Sequence, residues 1–181
     1  MRLLLVFLLL AMPCFADDTK VPLVFSGGHD TDGRDRGRPV ILIASALKVP
    51  PEVFRETFTH VHPAPPGQNG PTDAEARANK KALMDGLGKY GVTDERLNEV
   101  SNRYRYRRDR GEMWPTHDAA GYATVSNGVV TGFVITDGGF GYSSPPAVSV
   151  KDIPGVQASA TLAFSTDFEK NGAVASVSPA K

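Results

Sequence analysis

The sequence predicts an α+β fold, with a small N-terminal helical bundle followed by a small antiparallel all-β repeat module. Three observations predict it. Apolar residues recur at helical spacing, behind recognisable caps, from residue 39 to about residue 106. From Tyr122 onward that period disappears, and short β-branched runs alternate with Asn-Gly, Gly-Gly, Pro-Pro and Pro-Gly pairs. The intervening "RRDRGEMWPTHD" follows neither pattern. The expected organisation is a signal peptide over 1–16, an extended or loop segment over 17–38, a helical domain over 39–114, a linker over 115–121 and a β-repeat module over 122–181, each half with its own core.

The chain opens "MRLLLVFLLLAMPCFADD". Arg2 gives a positive start, Leu3 to Met12 an apolar run, and Ala16 a small residue before two acids, the layout of a secretory signal peptide. The run of about ten residues is short of the roughly 20 that a membrane span needs. A buried core helix is the alternative, disfavoured because acids follow at once. Cys14 would be the lipidated residue of a lipoprotein, but Met12-Pro13 stand where small residues are wanted. The expected location is therefore periplasmic or extracellular, with no integral membrane segment after cleavage.

Of the 181 residues, 165 follow Ala16, and Cys14, the only cysteine, is not among them. The exported chain then has no disulfide and no thiolate nucleophile. Arg2 leaves with the leader, so 19 basic residues face 20 acidic ones. That near-neutral balance argues against a nucleic-acid partner.

"RPVILIASALKV" is apolar on every side and predicts a central, buried helix starting at Pro39. "PPEVFRETFTHV" predicts a second, with Pro51 in its first turn, Glu52 favourable to its dipole, and Val53, Phe54, Phe58 and Val61 on its core face. A proline-rich loop follows. In "TDAEARANKKALMDGLGKYG", Thr72 and Glu75 have capping-box spacing, Ala76, Leu83, Leu87 and Tyr90 form the stripe, and Gly88 or Gly91 ends the helix. "TDERLNEVSNRYRY" repeats the device, with Thr93 as cap and Leu97, Val100 and Tyr104 inward.

In the second half, "GVVTGFVIT", "PAVSV", "ASATLAF" and "NGAVASVS" read as strands. The third alternates, with Ala158, Ala160, Leu162 and Phe164 on one face. "ITDGGFGYSSPPAVSV" raises the question of a phosphate-binding loop. Such a loop sets glycines between a strand and a helix N-terminus. Here Pro145-Pro146 and another strand follow, with no Lys-Ser/Thr partner. Gly138, Gly139 and Gly141 are therefore expected to be turn positions with positive φ, with Tyr142 packed over them. A faint repeat relates "NGVVTGFVI" at Asn127 to "NGAVASVSP" at Asn171.

The stretch "NGVVTGFVITDGGFGYSSPPAVSV" resembles short β repeats with a G-G-x-G-Y-x-x-x-P core found in exported bacterial proteins and in phage tail or adhesin-like proteins. The likeness spans roughly residues 123–177. "GHDTDGRDRGRPV", "VPPEVFRE", "NKKALM" and "YGVTDERLNEVSNRYRYRRDRGEMWP", over roughly residues 28–115, resemble an uncharacterised group of exported bacterial proteins that pair such a helical unit with these repeats. The resemblance implies a surface or periplasmic role and carries over no catalytic residue.

Three constellations could carry chemistry. "GGHDTDGRDRGRP" offers Asp30, Asp32 and Asp35 as oxygen ligands for calcium, the one cofactor considered, but lacks the EF-hand order and its terminal Glu. The preferred reading pairs those acids with the interleaved Arg34, Arg36 and Arg38. His29 beside Asp30 has a general base's neighbour but no nucleophile. His60 and His62 suit a helix end better than zinc, and His117 stands alone in the linker.

"NRYRYRRDRGEMW" interleaves Arg103, Tyr104, Arg105, Tyr106, Arg107 and Arg108, residue types that grip anions and stack on rings or sugars. A solvated helix end is the preferred reading, yet this is the surface expected to bind an anion if any does. Trp114 reads as an anchor of the linker. The expectation is an exported, non-enzymatic interaction or structural module, its partner a protein or acidic glycan at the cell surface. The alternatives are a metal-dependent hydrolase using the His29 to Asp35 loop, or a filler with no specific ligand.

Overall fold

The computed structural model describes residues 18–62, 70–106 and 110–180. The expected leader with Cys14, and Arg107 and Arg108 of the arginine–tyrosine segment, lie outside the described residues. The fold is α+β, but its order is mixed: a strand comes before the helices rather than only after them. Strand β1 (Thr19–Ser26) leads through a 3-10 turn (Gly33–Asp35) into α1 (Val40–Leu47), α2 (Pro51–Phe58), α3 (Asp73–Leu87) and α4 (Asp94–Arg103). Five strands follow: β2 (Ala120–Ser126), β3 (Val129–Asp137), β4 (Ala147–Val150), β5 (Ile153–Ala163) and β6 (Ala173–Pro179). No helix among the described residues is long and apolar enough to cross a membrane.

The strands form one antiparallel sheet in the order β3-β2-β1-β4-β5-β6. Its two edges curl toward each other, and the Val174 N–H donates to the Gly138 carbonyl at 2.8 Å, so the sheet is nearly a barrel. The segment expected to be extended or loop thus supplies a central strand. Residues 19–22 of β1 pair with β2 and residues 23–26 pair with β4. Pro22 sits where the partner changes, a place that tolerates a missing donor. Leu23 is buried, and Val21 and Phe25 pack on the same core.

Two clusters of buried side chains result. One joins α1, α2, α4, Leu87, Val92 and Trp114; the other fills the sheet around Ala123, Tyr142, Val148 and Val150. α1 is the central helix, with Val40, Leu42, Ala44, Ala46 and Leu47 buried. The Thr72–Glu75 capping box and the Thr93 cap are both present. α3 buries only Leu87, with Leu83 and Met84 partly covered; the expected stripe members Ala76 and Tyr90 are exposed. On β5, Ala160 is buried and Ser159 and Thr161 are exposed as expected, whereas Phe164 lies past the strand end and is exposed.

The clusters are tied together. Asn171, fully buried, donates from Nδ2 to the Leu42 carbonyl at 2.8 Å and the Tyr104 hydroxyl at 2.9 Å. Trp114 Nε1 donates to the Gly141 carbonyl at 2.8 Å. Phe168 packs on the helical core and is flanked by the Arg96 and Arg103 guanidiniums at 4.6 and 5.4 Å. The two Asn-Gly pairs of the faint repeat both precede strands, but Asn127-Gly128 is a hairpin turn and Asn171-Gly172 is this buried seam.

Candidate functional site: an arginine-lined groove

The chain leaving β1 is folded by local capping. Asp32 Oδ1 accepts the Arg34 N–H at 2.9 Å and opens the 3-10 turn. Arg36 ends it in the left-handed region at φ 52°, Gly37 follows at φ 88°, and the Tyr106 hydroxyl donates to the Gly37 carbonyl. This turn packs beside α2 and leaves a groove of about 620 Å³ between them, with Phe54 and Phe58 among its walls. That volume suits a small organic ligand.

The groove's ionisable groups fall into two sets. The first is closed on itself. Buried Asp35 takes a two-bond ion pair from Arg55, Nε to Oδ1 at 2.7 Å and Nη2 to Oδ2 at 2.8 Å. Arg34 bridges Asp32 at 2.8 Å and Glu52 at 3.3 Å, and Arg55 also meets Glu52 at 2.7 Å. Hydrogen bonds from Arg34 hold Asp32 at a pKa of about 2, and the bonds to Asp35 raise that of Arg55 above its ordinary value.

The second set has no ion pair among the described residues: Arg36, Arg38 and Glu56. The Arg38 guanidinium lies over the Phe58 ring, 4.2 Å from its centroid, and donates to the Asp35 carbonyl at 3.3 Å. Burial, and then the charge of Arg36, lower its pKa against the opposing charges of Tyr106 and Asp35, which marks a cation partly stripped of water. The remaining N–H groups of a guanidinium fork suit a planar oxyanion.

Asp30, Asp32 and Asp35 do border one cavity, but it is only about 90 Å³ and Arg38 and Arg55 share it. Asp32 and Asp35 are matched by arginines, and no set of three His, Cys, Asp or Glu among the described residues could hold a metal ion. The interleaved arginines were expected as the partners; Arg34 is one, but Asp35 is met by Arg55, from 20 residues away on α2. His29 stacks on Tyr142 at 5.2 Å and meets Trp114 edge-on at 6.3 Å, with its Nε2 buried and unpartnered. His60 and His62 are exposed at the end of α2. His117 pairs with Asp137 at 3.1 Å, both exposed.

The arginine–tyrosine segment is divided. Arg103 bridges Glu169 at 2.9 Å and lies over Phe140 and Phe168. Tyr104 is buried, Tyr106 braces Gly37, and Arg105 is exposed. The glycine stretch forms a turn: Gly139 and Gly141 take φ 60° and 88°, Gly138 does not take positive φ, and β4 follows. Tyr142 is buried and its hydroxyl accepts the Ala119 N–H at 2.9 Å. The groove was not evident in the sequence because Arg55 and Phe58 lie on a helix read only for its core face; the available signal was Arg55 three residues after Glu52 in "EVFRETF".

No family model, curated protein or solved structure matches this chain.

Proposed function

We propose that the chain is an exported, non-enzymatic binding protein of the periplasm or cell surface, and that the groove between the 3-10 turn and α2 takes an anionic ligand. The observation that carries this is Arg38: half-buried, its guanidinium 4.2 Å from the Phe58 ring centroid and in no ion pair among the described residues, beside Arg36, which is likewise in none. A partly desolvated cation outside any ion pair gains stabilisation when an anion arrives. The leader-like opening and the resemblance of residues 123–177 to β repeats of exported, phage tail and adhesin-like proteins support the location. The hydrolase alternative draws little support, since the His29 ring packs against Tyr142 and Trp114, and Asp32 and Asp35 are held by arginines.

The test follows arginine Nε–Hε resonances by NMR as sodium acetate replaces sodium chloride at constant ionic strength. Saturable shifts at Arg36 and Arg38, with Arg34 and Arg55 unmoved, are expected. Shifts confined to Arg105, or none that saturate, overturn the site. Cell fractionation after expression of the full chain in a bacterial host tests export; retention in the cytoplasm counts against it.

A further inference from the structure

Building on that reading, we propose that the groove's ligand is a monocarboxylate with an aromatic or branched aliphatic body: the carboxylate on Arg38 and Arg36, the body against Phe58 and Phe54.

The charge count selects one negative charge. Four arginines line the groove, and three carboxylates, Asp35, Glu52 and Glu56, line it with them. Asp32, just outside, is bonded to Arg34. The surround is therefore neutral overall, while Arg36, Arg38 and Glu56, the groups in no ion pair among the described residues, together carry one net positive charge. A single carboxylate matches that charge. A phosphate near its second ionisation brings excess negative charge close to Glu52 and Glu56, which like-charge repulsion opposes. The geometry also favours a planar acceptor. The Arg38 guanidinium carbon lies 4.2 Å from the Phe58 ring centroid, and a guanidinium fork offers a carboxylate two parallel N–H bonds.

The body of the ligand is set by the walls. Phe58, Val61 and the buried Phe54 border the groove together with Val40. Such surface rewards an apolar body. A free acid and the C-terminal carboxylate of a peptide ending in a hydrophobic residue share this chemistry.

The test uses the chain from residue 17 onward and amide NMR. Its probes are 4-phenylbutyrate, the neutral 4-phenylbutan-1-ol, inorganic phosphate, an oligogalacturonate, and acetyl-Ala-Ala-Phe with a free or an amidated C-terminus. Saturable phenylbutyrate shifts over residues 34–38 and 52–61, at roughly millimolar affinity or tighter, are expected, with the alcohol and phosphate at least tenfold weaker. The free peptide acid binding as well as phenylbutyrate assigns the source to peptide ends; phenylbutyrate alone assigns it to small acids.

R38K, which keeps the charge but loses the planar fork, is expected to weaken phenylbutyrate at least tenfold. R36N, whose asparagine tolerates the left-handed backbone at that position, removes the second cation without disturbing the turn and is expected to weaken it severalfold. Equal binding of acid and alcohol, or unchanged affinity in both variants, overturns the proposal. Phosphate or oligogalacturonate moving the groove's resonances while phenylbutyrate does not would overturn the ligand class and leave the anion site standing. If no anion moves them, both readings fall.

Discussion

Asn171 Nδ2 lies 2.9 Å from the Tyr104 hydroxyl and 2.8 Å from the Leu42 carbonyl, while its Oδ1 accepts the Ser165 N–H at 3.1 Å. One side chain with no exposed surface thus satisfies groups on α1, on the residue after α4 and on the loop before β6. Buried polar groups cost stability when unpaired, so this residue specifies how the helices sit on the sheet.

Asn171→Ala leaves those three groups without their partner. It is expected to destabilise the chain by about 2–4 kcal/mol, in a urea melt followed by both far-ultraviolet dichroism and Trp114 fluorescence. The two probes are expected to report one transition, because Trp114 and Phe168 cross between the cores. A loss under 1 kcal/mol, or two separate transitions, would argue that the halves are independent.

Arg55→Met strands the buried Asp35 carboxylate and is expected to cost about 3–5 kcal/mol, the range for breaking a buried ion pair from one side. Asp35→Leu combined with Arg55→Met removes both charges and is expected to recover much of that. The same pairing predicts that EDTA leaves the melting temperature of the wild-type chain unchanged, since Asp35 and Asp32 already face arginines. A double variant no better than the single, or a fall with EDTA reversed by calcium, would contradict this account.

Local chemistry was legible in the sequence; long-range pairing was not. The caps at Thr72 and Thr93 need only residues three apart, and the Gly139–Gly141 turn needs only the Pro145-Pro146 that follow it. β1 was hidden by Pro22, which reads against a central strand until the change of partner at that residue is known. Tyr104 fits both the inward stripe with Leu97 and Val100 and the arginine–tyrosine run; only its partner Asn171, 67 residues away, decides for the first. Arg38 read as a counter-charge for neighbouring acids; the competitor that displaced it, Arg55, comes from another helix.

His29 carries a pH dependence of defined sign. Burial lowers its pKa from 6.5 against the opposing charges of Asp118 and Asp30. The unfolded chain takes up the proton near 6.5 and the folded chain only below that. Stability is therefore full above pH 6.5 and is lost as pH falls from there through the folded pKa. His29→Phe keeps a ring against Tyr142 and Trp114 but cannot titrate. It is expected to flatten the melting temperature between pH 7 and pH 5, relative to wild type. An identical slope in the variant would place the titration elsewhere.

The glycine turn separates two physical effects that a single substitution would confuse. At Gly128, φ is +79° and nothing lies within 4 Å of an added Cβ, so alanine there meets only the backbone preference. At Gly139, φ is +60° and the Cβ would lie 2.2 Å from the His117 carbonyl oxygen, across the bridge joining His117 to Phe140. Gly128→Ala is expected to cost about 1 kcal/mol, and Gly139→Ala at least ~2 kcal/mol, because backbone on both sides must move. Gly138 has ordinary φ, but its Cβ would sit 2.9 Å from the Val174 carbonyl, at the seam that nearly closes the barrel. Its alanine variant is expected to fall between the other two and to loosen β6 specifically, seen as faster amide exchange at Val174. Calorimetry of the three variants with and without ATP completes the test. A phosphate loop would show an ATP-dependent rise in the wild-type melt that Gly139→Ala abolishes. The turn requires no ATP effect in any of them, since Gly141 is followed by Tyr142 and the β4 strand and by no helix whose N-terminus could receive the anion.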